Sequence, residues 1–93
     1  MEIALLTIHL HLPYAHSLKE KREVVRRLKD RLRAKFNCSV AEVDANELWQ
    51  VSQVAVVTVN SDHVYLEQTM SAMERETARI LAGNTFEFRR EFL

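Results

Sequence analysis

Five basic residues of this 93-residue chain recur at spacings of three and four, a pattern that could contact phosphate groups. In an α-helix these spacings place the side chains on one face, where their charges reach solvent together. Clustered cations displace counterions from nucleic acid, and the resulting binding is independent of sequence and sensitive to salt. We call the five residues the basic stripe; they are Lys19, Arg22, Arg26, Lys29 and Arg33.

The stripe belongs to residues 17–36, which hold nine of the chain's thirteen Lys and Arg although the formal net charge is zero. Three acids accompany those nine cations, whereas residues 37–93 contain four basic and nine acidic residues. The charge is therefore segregated along the sequence. RNA or a ribosomal surface is favoured over DNA as the partner, because the segment has no Asn or Gln to read base edges.

A simpler interpretation of the same segment is an amphipathic helix with a solvated polar face. In this interpretation Glu23 and Asp30 pair with Arg26 and Arg27, and the remaining charges serve solubility. The zero net charge favours it, because domains that bind nucleic acid are usually basic. The sequence leaves both interpretations open.

Three other sets of side chains could do chemistry. His9 and His11 share one side of a predicted strand at a metal-ligand spacing, but two ligands do not complete a site, so we predict partly exposed polar residues and no bound metal. Glu42 and Asp44 could form a carboxylate pair for acid–base catalysis, although salt bridges to the basic helix explain them more simply. Lys21 falls at the core edge of that helix, where we predict a structural ion pair with Glu42 or Asp44.

The composition excludes several classes of protein. A single glycine, Gly83, cannot supply the Gly-rich loops that cradle nucleotide phosphates, and a single cysteine, Cys38, allows neither an internal disulfide nor a cysteine zinc site. No apolar run is long enough to span a bilayer, and Glu2 stands where a signal peptide would be basic. We therefore predict a cytosolic, cofactor-free protein with one domain over residues 1–93.

Alternating apolar residues predict a first strand over residues 2–12, which Pro13 ends. Its even positions are all apolar, whereas its odd positions are Ile3, Leu5, Thr7, His9 and His11. Ser17 and Glu20 match a capping box, so a helix is predicted from residue 17 or 18 to about Phe36.

Two stretches rich in β-branched residues follow, at 38–44 and 48–61, and a loop at 45–47 separates them. Because the second stretch is long, a bulge or an irregular start is predicted near Trp49.

A second helix begins at a cap supplied by Ser61 or Asp62 and ends at Gly83 and Asn84. Phenylalanines that alternate with polar residues then predict a final, half-buried strand over residues 85–93.

The order strand, helix, strand, strand, helix, strand predicts an α+β, ferredoxin-like βαββαβ fold. The first and third strands then form the centre of a four-stranded antiparallel sheet, and both helices cover one face. Apolar residues on the open face predict self-association, for which a two-fold homodimer is the simplest assembly. Base stacking on that face is disfavoured because the first strand offers it no aromatic residue. The predicted interface residues are Ile3, Leu5, Thr7 and His9.

Several segments resemble the YlxP-like family of small bacterial proteins, a domain of unknown function numbered 503. The resemblance lies between residues 9 and 50 and rests on the segments LHLP, SLKEKR, KDRLRAKFNCSVAEVD and LWQ. It implies a ferredoxin-like fold, no established enzymatic activity and no assigned catalytic residues. Genes of this family often lie beside genes for translation and ribosome maturation, which implies a role related to RNA.

The predicted function is non-enzymatic binding of RNA or a ribonucleoprotein through the basic stripe. The alternative is a protein–protein interaction module or a structural homo-oligomer without a nucleic-acid role, in which the basic helix docks on an acidic surface. An enzyme is the least favoured class, because the sequence contains no catalytic motif strong enough to name a reaction.

Overall fold

The computed structural model describes residues 1–44, 48 and 50–93, which form one sheet and two helices. The predicted loop at 45–47 and the irregular start predicted near Trp49 lie outside the described residues. The elements in chain order are β1 (Glu2–His11), α1 (Leu18–Lys35), β2 (Ser39–Asp44), β3 (Val51–Asn60), α2 (His63–Ile80) and β4 (Thr85–Phe92).

Neighbouring strands of the sheet run antiparallel in the order β2-β3-β1-β4. The central position of β1 and β3 confirms the predicted α+β, ferredoxin-like fold. Ile3 pairs with Val59 and Leu5 with Val57, so these β3 residues share a face with the odd-numbered residues of β1. The register of β2 against β3 shifts beyond Glu42, which places an irregularity in β2.

The even-numbered side of β1 forms the centre of the core. Ala4, Leu6 and Ile8 are each 0% exposed, because alternate strand residues enter the layer between the sheet and the helices. Their buried neighbours on the helices are Val25, Leu28, Leu32, Leu66, Met70 and Met73. The odd-numbered side is only partly buried from Ile3 to His9, since neither helix covers that face.

α1 begins at Leu18, as predicted, with Ser17 as its N-cap. The Ser17 hydroxyl accepts a hydrogen bond from the backbone N–H of Glu20 at 3.2 Å. The second half of the predicted capping box differs, because the Glu20 carboxylate accepts from the N–H of His16 at 2.6 Å instead of from the N–H of Ser17. The helix ends at Lys35, one residue before the predicted end.

α2 is capped by Asp62, the second of the two predicted caps. Its Oδ1 accepts hydrogen bonds from the N–H groups of Val64 and Tyr65 at 2.9 and 3.3 Å. After the helix, Gly83 has a φ of +86°, a left-handed conformation that glycine adopts without steric cost, and the chain turns into β4.

The phenylalanines of β4 have unequal surroundings. Phe86 and Phe88 are partly buried against the core, as the alternation predicts. Phe92 is 41% exposed, because it lies at the end of an edge strand, and its ring stacks on His63 with 4.4 Å between ring centres.

Candidate nucleic-acid interface

The nine cations of residues 17–36 have four kinds of surroundings in the fold. One is buried, three contact α2, one contacts β2, and four remain in solvent. Lys21 is the buried residue, and Arg33 is the one that contacts β2. The residues that contact α2 are Arg27, Arg31 and Lys35, and those that remain in solvent are Lys19, Arg22, Arg26 and Lys29.

Arg27, Arg31 and Lys35 anchor α1 to α2. Their spacing of four residues places them on one side of α1. Arg31 Nε and Lys35 Nζ bind the two carboxylate oxygens of Glu76 at 2.9 and 2.8 Å, while Arg27 donates to the carbonyl of Ile80 at 3.4 Å. These cations are structural, and none of them belongs to the predicted stripe.

Glu76 is the buried centre of this anchor. Its side chain is 1% exposed, and Arg79 of the same helix approaches its Oε2 at 3.5 Å. Hydrogen bonds from Lys35 and Arg31 stabilise the carboxylate and lower the pKa of Glu76 from 4.5 to about 2, although burial acts in the opposite direction. Glu76 is therefore ionised at neutral pH and holds the two helices together.

The role of Glu76 was not predicted from the sequence, although its position indicates one. It falls between Met73 and Thr77 on the apolar face of α2, where both of these neighbours are 0% exposed. A carboxylate at such a position requires cations or hydrogen-bond donors. The row of basic residues on one flank of α1 could have supplied that partner.

Lys21 is buried, with 3% exposure, and its Nζ donates to the backbone carbonyl of Leu48 at 2.9 Å. The predicted ion pair with Glu42 does not form, because Glu42 accepts a hydrogen bond from Ser52 Oγ at 2.7 Å instead. The side chain of the other predicted partner, Asp44, lies outside the described residues. Lys21 therefore helps to fix the chain before β3.

Arg33, the last residue of the stripe, contacts the edge strand. Its Nη2 donates to the carbonyl of Val40 at 2.7 Å, and its Nη1 lies 3.8 Å from the carboxylate of Asp30. This hydrogen bond places the end of the stripe beside β2. It also occupies part of the guanidinium that was predicted to be available to a binding partner.

The other four residues of the stripe are at least partly exposed to solvent. Lys19, Arg22 and Arg26 are exposed, and Lys29 is partly buried. Between Lys19 and Lys29 the helix rises about 15 Å. No hydrogen bond or ion pair joins these four side chains to another residue within 1–44, 48 and 50–93.

The pairs predicted for Glu23 and Asp30 with Arg26 and Arg27 do not form between described residues. Asp30 lies near Arg33, with its side chain 66% exposed, and Arg27 is directed to α2. Among the described residues Arg33 is thus the stripe residue that pairs with an acid, and the charge of the other four remains available to a partner.

The uncovered face of the sheet places the four predicted interface residues in one row along β1. β3 adds Val57 and Val59 beside them, with 41% and 45% of their surfaces exposed. One half of this face is therefore apolar. The predicted interface residues, all partly buried, are Ile3, Leu5, Thr7 and His9.

His9 and His11 lie at the polar end of the same face. With Gln53 and Glu87 they border a shallow cavity of about 250 Å³. Within the described part of the chain, no group of three or more His, Cys, Asp or Glu side chains is arranged to hold a metal ion. The pair remains a set of polar surface residues.

A second charged cluster joins the start of α2 to β1. His63 Nδ1 lies 2.6 Å from a carboxylate oxygen of Glu2, and its Nε2 lies 2.7 Å from one of Glu67. A neutral imidazole donates from only one nitrogen, so contacts with two carboxylates favour the imidazolium. The hydrogen bond with Glu2 is the main cause that raises the pKa of His63 above 6.5.

This cluster predicts a pH dependence of stability. The raised pKa means that the contribution of His63 is fully present below pH 6.5 and is lost as the pH rises through the folded-state pKa. Chemical unfolding should therefore show His63→Gln less stable than wild type at low pH, with the difference shrinking at alkaline pH. His11→Gln, which replaces an exposed His at the other end of β1, serves as the control. A difference for His63→Gln that does not change with pH would contradict this account.

One family model matches almost the whole chain. The model described as "Protein of unknown function (DUF503)" matches residues 3–90. The uncharacterized protein YlxP of Bacillus subtilis (strain 168) is 40% identical over 68 residues, which cover 73% of this chain. The matched region spans 66% of the length of that curated relative.

Solved structures similar to this one share its fold. A de novo designed protein with a ferredoxin fold has a TM-score of 0.53 and 12% identity, with 98% of this chain and 86% of that chain covered. SnoaB, a cofactor-independent oxygenase from Streptomyces nogalater, has a TM-score of 0.63 and 10% identity, with 98% and 92% covered. At these identities the likeness concerns the fold alone.

Neither α1 nor α2 has the combination of length and apolar character needed to cross a membrane.

Proposed function

The chain belongs to the DUF503 family, whose function is unknown, and we propose that it is a non-enzymatic cytosolic protein that binds RNA through its basic stripe. The proposal covers RNA that is free or part of a ribonucleoprotein. One observation carries it: four cations of α1 stay in solvent without a partner among the described residues, whereas the other five of that segment have structural contacts.

The cations of α1 differ in what a phosphate contact would cost them. Arg31 and Lys35 already neutralise Glu76, so a new anion would have to compete with a buried carboxylate for them. Lys19, Arg22 and Arg26 carry no such cost, because phosphate contacts there replace only water and bound counterions. The stripe is therefore the part of α1 on which a polyanion gains the most.

RNA is favoured over DNA for two reasons. The stripe has no Asn or Gln, whose carboxamides read adenine in a DNA major groove, and its Lys and Arg are suited to phosphate contacts. Structured RNA is recognised largely by its shape and by contacts to phosphates and sugars.

The buried charged residues support a binding role over a catalytic one. Within the described part of the chain these are Lys21 and Glu76. Lys21 is held by a backbone carbonyl, and Glu76 is held by cations of both helices. Both groups are thus committed to packing contacts.

The salt dependence of binding to a structured RNA hairpin tests this proposal. Four phosphate contacts predict that affinity falls about 100-fold between about 50 and 200 mM salt, because each contact releases nearly one counterion. Fluorescence anisotropy with a labelled hairpin measures this slope. No binding at the lowest salt would refute the proposal and favour the alternative of an acidic protein partner.

Two single charge reversals make the test specific to the stripe. Arg26→Glu should lower both the affinity and the salt slope, whereas Arg75→Glu changes the net charge equally on an exposed position of α2 and should have a much smaller effect. Equal weakening by both variants would show that overall charge, and not the stripe, governs binding.

We also propose that two copies associate through the uncovered face of the sheet. The apolar half of this face, which includes Val57 and Val59, supplies surface to bury. Beside it, β4 presents Glu87, Arg89 and Glu91 in a row of alternating sign. A two-fold interface requires a surface that complements itself, and such a row can pair with its own copy.

A further inference from the structure

A cleft lies at the end of the molecule where α1 terminates. It has a volume of about 520 Å³ and is bordered by the segment after α1, the end of β3 and the first turns of α2. This volume is within the range of about 300–1,000 Å³ that is typical of small-ligand sites.

The lining of the cleft combines aromatic and amide groups. Phe36 and Tyr65 line it, and Tyr65 is 58% exposed. Asn37, Asn60 and Gln68 contribute carboxamides. Among the described residues that line it, Lys35 is the one that is charged and none is a carboxylate, so these residues do not repel a ligand with phosphate groups.

The amide groups of the cleft are available to a ligand. No hydrogen bond joins the side chains of Asn37 and Gln68 to another residue that the structure describes. Asn60 uses its Oδ1 to accept from the N–H of Asp62 at 2.8 Å, which orients its amide and leaves the NH₂ group without a partner among the described residues. Donors and acceptors of this kind match the edges of a nucleobase.

The framework of the cleft is held by internal hydrogen bonds. Thr58, which is 4% exposed, donates from its hydroxyl to the carbonyl of Asn37 at 2.9 Å and so joins β3 to the segment between α1 and β2. Leu66, 1% exposed, lies beneath the cleft as part of the core. A site whose framework is already ordered loses little entropy when a ligand enters.

We propose that this cleft binds one unpaired nucleobase of the RNA that the basic stripe holds, an inference that rests on the proposed function. Tyr65 stacks on the base, and the carboxamides of Asn37, Asn60 and Gln68 contact its edge. Arg33 is three residues before Phe36, a rise of about 4.5 Å along the helix, so a strand that follows the stripe reaches the cleft. Stacking on an aromatic ring with amide contacts to the edge is a common mode of recognising single-stranded RNA.

The test separates the base from the backbone. Wild-type protein is titrated with a short single-stranded oligoribonucleotide and with the same oligonucleotide lacking its bases. Tyr65→Ala should weaken binding of the normal oligonucleotide about 10-fold and leave the abasic one unchanged, because one stacking contact is lost while the phosphate contacts remain. Tyr65→Phe, which keeps the ring, should restore the affinity.

Tyr14→Ala is the matched control, because Tyr14 is 73% exposed and lies before α1, at the other end of the helix. It should leave both affinities unchanged. Equal binding of normal and abasic oligonucleotides, or equal effects of the two Tyr→Ala changes, would overturn the cleft inference while leaving the stripe proposal intact. If the wild-type protein bound neither the normal nor the abasic oligonucleotide, that result would instead refute the stripe proposal itself.

Discussion

Glu76→Gln is expected to lower the midpoint of thermal unfolding by on the order of 10 °C at neutral pH. The change removes the negative charge that Arg31, Lys35 and Arg79 share while leaving those cations around a buried amide. An isosteric amide keeps the packing, so the loss reports the charge and its hydrogen bonds. Differential scanning calorimetry or circular dichroism measures the shift.

The effect of Glu76→Gln should depend on pH with a definite sign. The folded-state pKa of Glu76 is lowered to about 2 from an ordinary value of 4.5. A lowered pKa means that the ionised carboxylate stabilises the fold above pH 4.5 and that this contribution is lost as the pH falls toward 2. Wild type and variant should therefore converge in stability under strongly acidic conditions.

Glu74→Gln is the matched control for Glu76→Gln. It removes the same charge from the same helix, but Glu74 is 46% exposed and has one described partner, Arg90, at 3.0 Å. Exposed ion pairs contribute little, so its midpoint should shift by about 5 °C or less. Shifts of equal size for the two variants would contradict a central role of Glu76 in joining the helices.

The helices and strands could be predicted because each is defined by a local pattern in the sequence. Alternation in β1, the Ser17 cap and the turn at Gly83 each involve residues close together in the sequence. Because crossover connections are right-handed, the order of the elements is then compatible with only a few topologies. The irregularity in β2 was not predicted, since it depends on the register against β3, which is a contact between two strands.

The candidate site was predicted only in part. Spacing on one helix shows which residues share a face, but it does not show which neighbouring element that face packs against. Arg33 fits the stripe by spacing, yet its guanidinium reaches the carbonyl of Val40. Arg27 and Arg31 have the same spacing as stripe residues, and they face α2. Packing of α1 against its neighbours thus decides which cations are available, and the partners of Arg27 and Arg31 lie more than 40 positions away in the sequence.

The cleft illustrates the same limit. Phe36 and Asn37 come from the segment after α1, Asn60 from β3, and Tyr65 and Gln68 from α2. No short motif joins them, and none of them was predicted from the sequence to line a site. Their proximity follows from the antiparallel path of β3 and the crossover to α2, so only the folded chain reveals a shared lining.

Val57→Glu is expected to convert the proposed dimer to a monomer. It places a charge in the apolar half of the uncovered face in each copy, and the two-fold symmetry brings two such charges into one interface. Burying a charge without a partner is costly, so the dissociation constant should rise by about 100-fold or more. Sedimentation velocity over a range of protein concentrations measures the change.

Val64→Glu is the control, because Val64 is 62% exposed on α2 and lies away from that face. It should leave the oligomeric state unchanged. A wild-type dimer held by the apolar face should also persist as salt rises, whereas association driven by the basic stripe would dissociate, because salt screens exposed charges. A wild-type protein that is monomeric at every concentration, or a Val57→Glu protein that remains dimeric, would refute the interface. RNA binding by a monomeric Val57→Glu variant would further show that the stripe acts without the second copy.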